Sequence, residues 1–126
     1  MKEMIKTAAA PAAIGPYSQG VAGTGRMLFV SGQLPVDPAT GNFAGNGVQE
    51  QTEQSIKNLA AILKEAGGSL ENVAKTTVFL ADMEDFAAMN GVYQRYFSEP
   101  FPARSAVQVA RLPKDARVEI EAIAIL

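Results

Sequence analysis

Apolar and polar positions along this chain follow two periods. Val48, Thr52, Ile56, Leu59, Ala60 and Leu63 recur at helical spacing. Gly67-Gly68 ends that helix, because glycine readily takes the conformation that follows a helix C-terminus. A second helical face runs through Phe86, Met89, Asn90, Tyr93 and Phe97. Asp82 is placed to cap its start, and Glu84 and Asp85 fall in the first turn, where the helix dipole favours anions. Pro100 and Pro102 stop it. Between the helices, Ser69 caps a single turn, and residues 73–80 form a run rich in β-branched side chains that predicts a strand.

Outside the helices the pattern is extended. Residues 11–17 (PAAIGPY) make a stiff extended or turning segment. Residues 18–22 and 26–32 read as two strands, with Gly23-Thr24-Gly25 between them as a loop with hairpin freedom. Residues 35–47, with Pro35 and Pro38 among glycines and asparagines, read as a loop. Residues 105–110 predict a strand, 112–115 a turn and 116–126 a long last strand. Helices separated by a single strand suggest two βαβ-like units. The expected fold class is therefore α+β: one domain over 1–126, a six-stranded mixed sheet with two helices packed on one face. In the last strand Val118, Ile120, Ala122 and Ala124 point one way, and Glu119, Glu121, Ile123 and Ile125 the other. The helices cover only one face, so an oligomer is expected to cover the apolar part of the second.

Composition narrows the chemistry. The chain has no cysteine and no histidine. That removes disulfides, thiolate zinc sites, cysteine nucleophiles, Ser-His-Asp triads and His-based proton shuttles. Proton transfer near neutral pH is left to Glu, Asp, Tyr, Lys or water. The net charge is −2, with the basic residues scattered, so strong phosphate-driven binding of nucleic acid is not expected. No signal peptide and no membrane span are visible, and a cytoplasmic protein is the expectation.

Several residues break the local pattern. Arg104 sits between a helix stop and an apolar strand, either in a structural salt bridge or aimed at a ligand carboxylate, which its planar fork can hold in bidentate fashion. Glu119 lies in an otherwise apolar strand: a solvated face, a partner for Arg117 or Lys75, or a general acid or base. Tyr17, after Gly15-Pro16, either anchors a loop or closes a pocket. Ser31 and Gly32 end a strand, where turn capping competes with ligand contact. Asn90 lies on an apolar helix face, and a buried amide needs partners. From position alone, the structural readings of Arg104 and Glu119 are the stronger ones.

Taken together, these pieces resemble one family. Pro102-Ala103-Arg104-Ser105-Ala106-Val107, then 110–115 (ARLPKD), then Val118-Glu119-Ile120-Glu121 look like the C-terminal signature of the Rid family (RidA/YjgF type). Residues 12–20 (AAIGPYSQG) look like its N-terminal motif, and Ser31-Gly32-Gln33 and Asn90-Gly91-Val92-Tyr93 also match in order. The resemblance implies a fold like chorismate mutase of the bacillus type, a homotrimer with clefts between subunits, and no cofactor. It implies hydrolysis of reactive 2-imino acids, formed from enamines released by pyridoxal-phosphate-dependent dehydratases, to 2-oxo acids and ammonia. Carried over by position, Arg104 would grip the substrate carboxylate and Glu119 would handle water. Tyr17, Ser31, Gly32, Asn90 and the backbone at Ala106 would line the cleft. Many members have cysteine where this chain has Ala106, and the loop at 98–101 is shorter than in some relatives. A non-catalytic binder of small carboxylates, an RNA-acting protein and a scaffold held together by Arg104 and Glu119 are the competing readings.

Overall fold

The computed structural model describes residues 2–126. Six strands and two helices occur in the order β1 (Lys2–Ile5), β2 (Gly20–Gly23), β3 (Met27–Gln33), α1 (Val48–Glu65), β4 (Val73–Leu80), α2 (Phe86–Tyr96), β5 (Ala103–Gln108) and β6 (Val118–Ile125). Hydrogen bonding divides the strands into a four-stranded mixed sheet, β3-β6-β4-β5, and a two-stranded antiparallel ribbon, β1-β2. The number of strands and their mixed direction match the expectation. The single continuous sheet does not: the ribbon meets the main sheet at its β5 edge, through a parallel bridge between Ser18 and Ala103.

The hairpin expected around Gly23-Thr24-Gly25 is also corrected. β2 pairs with β1, a strand the sequence reading did not delimit, while β3 pairs with β6. Gly25 has φ +144, and a Cβ there would come within 2.5 Å of the Leu126 carbonyl oxygen. The glycine therefore permits a close approach to the C-terminal end of the chain, where Arg26 and Leu126 exchange two backbone hydrogen bonds.

The helices lie where the apolar period puts them. α1 buries Ile56, Leu59 and Leu63 completely, and α2 buries Met89 and Tyr93. Both helices pack on the face of the sheet formed by Val118, Ile120, Ala122 and Ala124 with Val78 and Leu80. Each fully buried Leu or Ile contributes roughly 1.5–3 kcal/mol, so this helix–sheet layer holds the fold. Ser69 and Asn72 form a capping box before β4, and the Asp82 carboxylate accepts the Glu84 backbone N–H to start the turn that leads into α2. β5 begins at Ala103, two residues before the predicted start, because Thr76 and Arg104 already stand opposite each other in the parallel β4–β5 pair.

The second face of the sheet is uncovered. Phe29 is 69% exposed there, on the same strand as exposed Met27 and next to half-buried Ile123 of β6, and Val107 is exposed at the far edge, on β5. Ile125, expected to add to this patch, is itself buried.

Candidate active site

Arg104 is the second residue of β5, and Tyr17 is brought to it by a local lock. Ser18 donates from its backbone N–H to the Pro102 carbonyl at 3.0 Å and from its hydroxyl to the Phe101 carbonyl at 2.5 Å. The Arg104 side chain lies on the helix side of the sheet. Its guanidinium carbon is 4.8 Å from the centre of the Tyr93 ring and 5.6 Å from those of Tyr17 and Phe86, within cation–π range. Nη1 donates to the Asn90 side-chain oxygen at 2.7 Å. Among the described residues no carboxylate pairs with Arg104, so of the surface or inter-subunit salt bridge expected as one alternative, no pair forms within the chain. Burial pulls its pKa below the ordinary guanidinium value, while the Tyr93 and Tyr17 phenols act in the opposite direction. A half-buried guanidinium with rings around it, one amide on Nη1 and no counter-ion is built to receive an anion.

A rigid floor supports this cation. The Tyr93 and Thr76 hydroxyls are 2.8 Å apart, both residues are fully buried, and Tyr93 stacks on Phe97 with ring centres 4.4 Å apart. Burial pushes the Tyr93 phenol up to about 12. Sequence reasoning placed Phe86 and Tyr93 on the apolar helix face, with Tyr93 also in the matching stretch 90–93, but gave neither a site role and did not single out Thr76. The available signal was the spacing of Phe86, Asn90 and Tyr93, which puts all three on one helical stripe with the anomalous amide.

Glu119 belongs to a different place. It alternates with the fully buried Val118 and Ile120, so its carboxylate lies on the uncovered face, opposite the side that holds Arg104. The β3–β6 register shifts between Val30 and Gln33, and there the Gly32 backbone lies directly against the carboxylate: an added Cβ would overlap Glu119 Oε2. Ser31 is exposed beside it. Arg117 does not reach Glu119. Its side chain is taken by the Asn46 carbonyl and by Asp85, and neither Arg117 nor Lys75 forms an ion pair with Glu119.

One chain therefore brings together Arg104, Tyr17 and Asn90, with Ala106 two residues further along the same face of β5. It holds Glu119, Gly32 and Ser31 as a second cluster across the sheet. Among the described residues no group of three or more His, Cys, Asp or Glu side chains could hold a metal ion, and no helix is long and apolar enough to cross a membrane.

Comparison with known proteins identifies the family of the chain. A family model described as Endoribonuclease L-PSP matches residues 7–126. A RutC family protein of Pyrococcus abyssi is 54% identical over 123 residues, covering 98% of this chain and 96% of that protein. The 2-iminobutanoate/2-iminopropanoate deaminase of Capra hircus is 54% identical over 125 residues, covering 99% of this chain and 90% of that protein. Among solved structures, E. coli TdcF with bound serine superposes with a TM-score of 0.76 at 50% identity, covering 98% of both chains. With the family model spanning nearly the whole chain and relatives this similar along their length, the chain belongs to the Rid (YjgF/RidA) family.

Proposed function

We propose that this protein is a 2-iminobutanoate/2-iminopropanoate deaminase, hydrolysing reactive 2-imino acids to 2-oxo acids and ammonia. The observation that carries the reading is Arg104: a half-buried cation without a protein carboxylate, oriented by Asn90 and three aromatic rings. Relatives that bear this deaminase name, 51–54% identical, support the substrate class.

Arg104 binds the carboxylate that every 2-imino acid carries, with charge-assisted bonds worth roughly 1.5–3 kcal/mol. The protonated imine carbon is already electrophilic. Glu119 takes a proton from water as the water oxygen bonds to that carbon, then returns the proton to nitrogen. The C–N bond then breaks as ammonia leaves, the carbinolamine hydroxyl gives its proton to the Glu119 carboxylate as its oxygen becomes the 2-oxo group, and Glu119 passes that proton to the departing ammonia. Tyr17, Ser31, Gly32, Asn90 and the Ala106 backbone line the cleft, and no step uses a thiol, a metal or a cofactor.

Glu119 and Arg104 lie on opposite faces of one chain, so the reading includes a homotrimer in which each cleft takes Arg104 from one copy and Glu119 from the next. The apolar, uncovered face around Phe29 supports such packing. The overall shape would then be that of the bacillus chorismate mutase.

The test is a coupled assay in which a dehydratase acts on threonine or serine and free imine is trapped chemically. The protein is expected to speed 2-oxo acid release, and Arg104→Ala to abolish the effect. No acceleration, or full activity in Arg104→Ala, overturns the reading. The serine bound in the TdcF structure favours one alternative, a non-catalytic binder of small carboxylates. That binder would need Arg104 and not Glu119, so retained ligand binding and unchanged behaviour in Glu119→Ala would select it.

A further inference from the structure

The end of the N-terminal motif, Ser18-Gln19-Gly20, contains a side chain that the chemistry above leaves unused. Gln19 clamps the segment before it. Its Oε1 accepts the Thr7 backbone N–H at 2.7 Å, and its Nε2 donates to the carbonyls of Thr7 at 3.1 Å, Ala10 at 3.3 Å and Pro11 at 2.6 Å. Residues 7–17 form no strand and no helix, and residues 7–15 are exposed. Their other internal bonds are few: Ala9 N–H to the Thr7 hydroxyl at 3.1 Å, Tyr17 N–H to the Gly15 carbonyl at 2.8 Å, and a long contact of 3.5 Å from Ile14 N–H to the Tyr17 hydroxyl. A segment with so little ladder support takes its shape from the side chain that ties it down.

What the segment touches gives the clamp its consequence. Gly15 packs on the anion site: a Cβ built on it would lie 3.7 Å from the Tyr17 ring and 3.9 Å from Arg104 Nη2. Nη1 is committed to Asn90, so Nη2 is a nitrogen left for a ligand. The segment also borders a cavity of about 600 Å³, bounded among others by Lys6, Gly15, Tyr17, Gln19, Glu99 and Phe101. The cavity leaves the segment room to shift, and Gln19 ties down the stretch that leads into Gly15.

We infer that Gln19 is a positioning residue of the carboxylate-binding half of the site, holding the 7–17 segment so that Gly15 and Tyr17 stay packed against Arg104. The inference rests on the deaminase reading, because its consequence is tighter binding of a substrate carboxylate. Gln19 touches neither substrate nor reacting atoms.

The test compares the full-length wild type with Gln19→Ala in the coupled dehydratase assay, with amide hydrogen exchange as a second readout. Gln19→Ala is expected to raise KM by about fivefold or more with kcat within about twofold, the pattern of weakened ground-state binding. Exchange at the Thr7 amide should quicken, with little change in melting temperature. If Gln19→Ala fails to fold, Gln19→Glu replaces it. That variant keeps the acceptor for Thr7 and sets a carboxylate against three carbonyls, so the same rise in KM is expected. An unchanged KM in the folded variant overturns the inference, whatever happens to kcat or melting temperature. A wild type that gives no acceleration overturns the deaminase reading beneath it and the inference with it; the two failures are told apart by the wild-type trace alone.

Discussion

Single side chains carry two separable jobs here, and Tyr93 shows both. Its ring supports the Arg104 guanidinium and its hydroxyl meets Thr76 in a fully buried pair. Burial raises the phenol from 10.0 to about 12, so the folded state holds this proton more tightly than the unfolded state does. The resulting stability is complete below pH 10 and is lost as pH rises towards 12, an effect of about 2–3 kcal/mol at its upper bound. Denaturant melts between pH 9 and 12, as roughly bracketed by that linkage, should show a fall that Tyr93→Phe lacks. Tyr93→Phe should also lose about 1–3 kcal/mol at neutral pH, because it leaves the Thr76 hydroxyl buried without its partner. A pH slope identical in both proteins would contradict this account of Tyr93. Gly32 is the matching case on the other face. Its backbone occupies the space in which a Cβ would overlap Glu119 Oε2. Gly32→Ala is expected to displace the carboxylate and lower kcat by about tenfold or more, while 2-oxobutanoate, whose carboxylate the proposed site gives to Arg104, should bind as before. Calorimetric titration with turnover measured in parallel reads both quantities.

The secondary-structure elements differ in how plainly the sequence announces them, and the reason is packing. α1 and α2 each present one continuous apolar stripe to one sheet face, so the helical period survives in the residue order. β4 and β6 alternate for the same reason. β1 is only Lys2–Ile5, and its partner β2 is Gly20–Gly23, so neither strand has a buried face to write a pattern. Gly23-Thr24-Gly25 has the composition of a hairpin turn but serves a close approach to Leu126. For the candidate site, charge in an apolar pattern marked Arg104 and Glu119 as anomalies, but only the linked motifs raised them above a structural reading, and nothing in the pattern set Phe86 and Tyr93 apart from the core. A bond between elements adds a pH-sensitive tether that no period reveals. The Tyr96 hydroxyl donates to Glu53 at 2.6 Å, joining α2 to α1, with Lys57 and Arg95 near the same carboxylate. The Tyr96 hydrogen bond is the main cause of a Glu53 pKa below the ordinary 4.5. Stability from this tether is present above 4.5 and is lost as pH falls through the lower folded value. Solvent screening keeps it small, so the expected result is a shallower acid loss of stability in Tyr96→Phe, read as the urea midpoint across that pH range. Equal acid slopes in the two proteins would remove Glu53 from the account.

At the scale of the whole molecule, three features of one chain support the proposed cleft between copies. Arg104 is half-buried without a counter-ion, Glu119 makes no ion pair or hydrogen bond among the described residues, and the sheet face that carries Glu119 also exposes Phe29, Met27 and Val107. The two-residue period of β6 put Glu119 opposite the helix side, but Arg104 could be assigned a face only once β5 was seen parallel to β4 with Thr76 opposite it. No rearrangement within a chain of this topology brings the two charges together, because the sheet lies between them. A second copy can: its Glu119 face would meet the β5 edge of the first, and a head-to-tail contact of this kind closes into a ring when the rotation allows. This makes a sharp demand on mixtures. Arg104→Ala and Glu119→Ala should each be inactive alone. If the two are denatured together in equal amounts and refolded, a cleft is intact when its Arg104 comes from the Glu119→Ala chain and its Glu119 from the Arg104→Ala chain. Random assembly gives each condition half the time, so about one quarter of wild-type activity should return. Mixing the folded proteins without unfolding should return little until subunits exchange. A site built within one chain predicts no recovery under either protocol, and that outcome would remove the shared cleft while leaving the Arg104 anion site intact.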